Sequence, residues 1–179
     1  MEQKKFAQDL IDFIYESPTS FQAVETSKKL LIENDFKELL LDEKWNIEVN
    51  GKYYITKNSS AIIAFVVNSK NTEQEGFRII GSHSDSPTFR IKPKAEISVE
   101  NTYLKLNTEC YGGPILNTWL DRPLGIAGRV VLRSNNILKP IEKMVNINKP
   151  VCIIPNVAIH MNRTVNEGYA LNKQKDMLP

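Results

Sequence analysis

The short apolar run Phe77-Arg78-Ile79-Ile80 leads directly into Gly81-Ser82-His83-Ser84-Asp85-Ser86-Pro87. Side chains two apart on an extended segment point the same way, so His83 and Asp85 face one space. A neutral imidazole is a good zinc ligand, and a nearby carboxylate fixes its orientation and tautomer. Open α/β sheets place their ligands at the carboxyl ends of strands, which is where this pair falls. The plain alternative is a Ser- and Asp-rich surface loop with an incidental histidine. The spacing alone does not separate the two readings.

Two further segments carry reactive side chains. Tyr111-Gly112-Gly113-Pro114 precedes Thr118-Trp119-Leu120-Asp121-Arg122. Adjacent glycines before a proline imply a tight, special backbone. Asp121-Arg122 could be a charge pair; Asp121 is either a ligand or base, or part of an internal ion pair at a domain or subunit contact, and the ion pair is the favoured reading. In Ala158-Ile159-His160-Met161-Asn162-Arg163 a histidine stands between apolar residues, and spacing alone makes it a core or interface histidine.

The elements that must position these groups follow from periodicity. Phe6, Leu10, Phe13 and Ile14 recur at helical spacing and predict a helix over 3–16, ended by Ser17-Pro18. Thr19 and Gln22 have the spacing of a capping box, and a second helix runs to about Asn34, burying Phe21, Val24 and Leu31. Tyr53–Thr56 and Ala61–Val67, joined by Asn58-Ser59-Ser60, read as a hairpin whose second strand is buried on both faces. Phe77–Ile80 reads as another strand. Beyond Pro93 short strand-like pieces alternate with Gly, Pro and Asn, so a β-rich region is expected from residue 94, after an N-terminal α/β part over 1–93. Asn172–Pro179 is polar and reads as lacking a closing element.

Composition narrows the function classes. Among 179 residues, 41% are hydrophobic and 25% charged, the profile of a globular chain. A net charge of +2 gives no phosphate-binding footprint, so nucleic acid is not expected as a partner. No apolar run reaches the roughly 18 residues of a membrane span, and no secretory core follows the N-terminus. Two cysteines are too few for a disulfide framework, so the expected setting is cytoplasmic. Two histidines exclude a three-histidine zinc centre and the H-E-x-x-H motif. Phosphate-loop, dinucleotide and nucleophile-elbow motifs do not occur.

Four segments together resemble one family: Ser17–Val24, Gly81–Pro87, Tyr111-Gly112-Gly113 with Thr118–Arg122, and Pro155–Asn162. Their order and distances are similar to those of aspartyl aminopeptidase and vacuolar aminopeptidase I, dinuclear zinc metallopeptidases, with wording closest to the bacterial aminopeptidase I branch. The resemblance implies an α/β catalytic domain interrupted by a β-rich dimerisation domain, and peptide substrates cleaved at the N-terminus. It implies two zinc ions per complete subunit, with cobalt or manganese as alternatives, and homo-oligomers from dimers to dodecamers. It makes His83 a zinc ligand, Asp85 a catalytic-site carboxylate clamping that imidazole, and His160 a catalytic residue inserted into the neighbouring subunit's site to steady the oxyanion. Asp121 belongs to the Asp-Arg motif of the second domain and not to the metal bridge.

The resemblance also implies what lies beyond Pro179. Members are more than twice this length, and their bridging aspartate, general-base glutamate and remaining zinc ligands fall later in the chain. The 179 residues are therefore expected to be inactive alone. Two other readings remain open at this point: a non-catalytic oligomerisation fragment, and a related metal-dependent deacylase.

Overall fold

The computed structural model describes residues 2–168 and 170–179. The helical spacing of Phe6, Leu10, Phe13 and Ile14 becomes helix α1 (Glu2–Glu16). It packs along the next helix, yet none of its residues is buried, and Phe6 is 78% exposed. Helix α2 (Ser20–Glu33) starts at the N-cap Thr19, whose hydroxyl accepts the Phe21 N–H at 3.2 Å. The capping spacing is right, but the Gln22 amide nitrogen is used elsewhere. It donates to Val145 O at 3.1 Å and Gly128 O at 3.4 Å, while its oxygen meets the Thr19 hydroxyl. The helix ends at Asn34, followed by Asp35 at φ 66°, the left-handed stop common at helix C-termini.

A three-stranded sheet follows, in the order β1 (Lys37–Glu38), β2 (Lys52–Lys57), β3 (Ala61–Val66). β1 runs parallel to β2, and β2 antiparallel to β3. Adjacent Tyr53 and Tyr54 are both buried, so the central strand β2 is covered on both faces. The expected two-faced burial belongs to β2 and not to β3. Ile63 on β3 is 61% exposed, because β3 is the sheet's edge among the described residues. A single helical turn, α3 (Thr72–Glu75), precedes the apolar run 77–80. That run is not a strand: Ile80 is fully exposed, and no ladder among the described residues includes it. An extended segment is a strand only when a neighbour accepts its hydrogen bonds, and none does so here.

Strands β4 (Thr88–Val99) and β5 (Tyr103–Tyr111) form a long antiparallel hairpin, with a register shift between Ile91 and Glu96. Lys92-Pro93-Lys94, where the sequence suggested a boundary, lies at that irregularity inside β4. A bulge is where a sheet tolerates proline. β6 (Pro123–Leu124), β7 (Ala127–Leu132), β8 (Ile141–Asn146) and β9 (Cys152–Ile153) complete the strands, with β6 paired to β9 and β7 to β8.

Two units result. The first contains the residues through Asp85 and also Ala127–Val145, so β7 and β8 join the N-terminal helices and sheet. The second contains Ser86–Ile126 and Asn146–Pro179. In it the last residues are anchored: Met177 is fully buried and Pro179 O accepts the Leu106 N–H at 2.7 Å. The mixed α/β class expected from sequence is the class observed. No helix among the described residues is long and apolar enough to cross a membrane.

Candidate metal centre

His83 and Asp85 lie in the irregular segment that closes the first unit. The His83 Nδ1 is 2.7 Å from the Asp85 carbonyl oxygen and 3.2 Å from Asp85 Oδ1. A carbonyl only accepts, so Nδ1 carries the hydrogen and donates it. In the neutral ring the lone pair is then on Nε2. The His83 side chain is 82% exposed, which leaves Nε2 open. A backbone carbonyl or a carboxylate on the other ring nitrogen is the arrangement that prepares an imidazole to ligate a metal, and here the carbonyl is the nearer of the two.

The residue between His83 and Asp85 is tied to the hairpin. The Ser84 hydroxyl donates to Ser60 O at 3.0 Å, across 24 residues of sequence. Ser60 closes the turn between β2 and β3, where Asn58 (φ 52°) and Ser59 (φ 55°) are both left-handed, the pattern of a tight hairpin turn. That turn is gripped in its own right. Arg129 of β7 donates to Asn58 O at 3.0 Å and to Glu142 of β8 at 3.1 Å, and Ser59 donates to the other Glu142 oxygen at 3.2 Å. The Arg129 guanidinium also lies over the Phe21 ring, 4.7 Å from its centre.

The other two residues singled out in the sequence belong to the second unit. Within the chain Asp121 does not pair with Arg122 among the described ion pairs. It has φ 57°, its N–H donates to Ile154 O at 2.9 Å, and its Oδ1 accepts the Asn156 N–H at 2.9 Å. The carboxylate thus caps the backbone that leads towards His160, and a backbone donor fixed in place outcompetes a flexible, solvated guanidinium. His160 sits in an exposed turn with no ring hydrogen bond among the described residues. A core role within this unit is excluded by that exposure. Gly112 (φ 75°) is required as glycine: a Cβ there would lie 3.3 Å from Pro87 Cα.

A zinc site needs several donors on each ion. His83 fits one coordination position through Nε2. Among the described residues no group of three or more His, Cys, Asp or Glu is placed to hold a metal. Burial pushes the Cys152 thiol up, away from the thiolate that would ligate.

A profile of the aminopeptidase I zinc metalloprotease family (M18) matches residues 13–179. The chain belongs to the M18 aminopeptidase family. It is 63% identical over 175 residues to a probable M18 family aminopeptidase 2 of Clostridium novyi (strain NT), a match covering 98% of this chain and 40% of that protein. Its fold matches a chain of the Ape4 and Nbr1 complex solved by cryo-electron microscopy with a TM-score of 0.91 and 37% identity, over 98% of this chain and 34% of that one. It also matches the S. cerevisiae mApe1 dodecamer with a TM-score of 0.79 and 31% identity, over 89% of this chain and 37% of that one. The chain thus spans about 40% of the length of the curated M18 relatives it matches. Sequence reading singled out His83, Asp85 and His160; it gave no sign of the contacts that Ser60, Arg129 and Glu142 make around the first two. The Asn58-Ser59-Ser60 turn was the only local feature to mark the place.

Proposed function

We propose that this M18 chain provides one metal-binding edge of a zinc aminopeptidase that removes N-terminal residues from peptides. The observation that carries the reading is the His83–Asp85 pair, with Nδ1 tied to Asp85 and Nε2 open. His83 ligates zinc through Nε2, and Asp85 holds the ring in that tautomer. Bound zinc supplies Lewis acidity and a water of lowered pKa. The other donors and the general base come from residues other than those described, so the 179 residues alone do not turn over peptides.

His160 donates to the developing oxyanion in a neighbouring subunit, which its exposed position permits. The β-rich second unit makes the contacts between copies, and the dodecameric state of the mApe1 relative supports such an assembly. The family match favours an aminopeptidase over a deacylase.

The test is release of N-terminal residues from peptide p-nitroanilides by the protein at the length of its relatives. We expect His83→Ala to abolish zinc-dependent turnover and to lower the zinc found by native mass spectrometry. His160→Ala is expected to lower kcat by about 10²–10³-fold with little change in KM, as for loss of an oxyanion donor. An unchanged kcat in the second variant returns His160 to a structural role. Full zinc content and activity in the first removes His83 from the metal.

A further inference from the structure

We propose that Ser84 is a positioning residue for the His83 imidazole, tying its segment to the β2–β3 turn. The metal consequence rests on the reading of His83 as a ligand; the geometric claim does not. His83 and Asp85 belong to no helix or strand, and the run before them has no ladder partner among the described residues. The His83–Asp85 contact joins two residues of the same segment. The Ser84–Ser60 hydrogen bond supplies an external anchor at the residue between them.

The anchor is rigid for a physical reason. Two consecutive non-glycine residues in the left-handed region form a tight turn that the contacts around it hold in place. Arg129 holds the Asn58 carbonyl, and Glu142 holds both Arg129 and the Ser59 hydroxyl. The chain of contacts therefore runs from β7 and β8, through the turn, to Ser84 and the ring beside it. Every group in it belongs to the first unit. In this arrangement Ser84 touches no substrate. It sets the direction in which Nε2 presents its lone pair and keeps Nδ1 within reach of Asp85.

The imidazole tautomer reads this directly. With only two histidines, ¹⁵N-labelled rings of the full chain are assigned by comparison with His160→Gln. We expect the wild-type His83 ring to carry its hydrogen on Nδ1, and Ser84→Ala to shift it towards the Nε2–H form. Ser84→Thr, which keeps the hydroxyl, should restore the wild-type tautomer. Arg129→Lys should move the ring in the same direction as Ser84→Ala, and covers the case in which that variant misfolds. Zinc added to the same samples should perturb Nε2, with about 10-fold weaker affinity in Ser84→Ala.

A wild-type tautomer retained in both Ser84→Ala and Arg129→Lys overturns the proposal. A tautomer that responds to Ser84→Ala while zinc leaves His83 untouched upholds the positioning role and removes the ligand reading instead.

Discussion

Tyr54 shows how one side chain ties the sheet to its pH range. Its hydroxyl donates to Glu38 at 3.3 Å, and its side chain is buried. Burial, together with the Glu38 charge, pushes its pKa above the ordinary 10.0. Below pH 10 the phenol is protonated in folded and unfolded chains alike, and the contribution is fully present. Above pH 10 the unfolded chain gives up its proton first, so stability falls until the folded-state pKa is passed. We expect denaturation midpoints to decline from about pH 10 upwards, and Tyr54→Phe to flatten that decline. An identical slope in the variant would mean that another group sets the alkaline limit. At this scale the candidate site was half legible. His83 and Asp85 are two apart, and their contact closes over a single intervening residue, so it is local even though the segment is not a strand. Ser60 is 24 residues from Ser84, and nothing local reports that contact. The Asp121 contact is hidden for the same reason: its carboxylate accepts the Asn156 N–H, 35 residues away in sequence.

Among the elements, α2 shows where local rules reach their end. Thr19 and Asn34 marked its two limits correctly, because caps act within a turn of the residues they serve. What the spacing did not reveal is that Gln22 leaves the capping box to bridge Gly128 O and Val145 O. Gln22→Ala strands two carbonyls against a part-buried surface. It should lower stability by about 1–3 kcal/mol in chemical denaturation, several times the effect of replacing an exposed residue of α1. Indistinguishable losses from Gln22→Ala and Gln8→Ala would sink this. The strands divide along the same line. The β2–β3 hairpin was readable because its turn is local. The 77–80 run was not, because apolar β-rich residues show that a strand is possible but not that a neighbour exists to pair with it.

For the whole molecule, each unit contains one tryptophan, Trp45 in the first and Trp119 in the second. Single-tryptophan variants therefore report the units separately. Met177, fully buried in the second unit, is the probe of choice: Met177→Ala should cost about 2–5 kcal/mol as seen by Trp119, with the Trp45 transition moving less. Equal shifts at both reporters would show that the units unfold as one. The tail 172–179 gave no hint of this anchoring, since Met177-Leu178 after five polar residues is too short an apolar run to show a period. The interleaving of the units has a further consequence, for synthesis on the ribosome. Arg129 and Glu142 emerge only after the whole Ser86–Ile126 excursion, yet they grip the turn at Asn58 and Ser59. A nascent chain stalled before Ala127 holds its N-terminal sheet without that grip, so the hairpin turn forms early and is locked late. Contacts of such high sequence separation slow folding, and they assign the final step of the first unit to residues made after most of the second has begun.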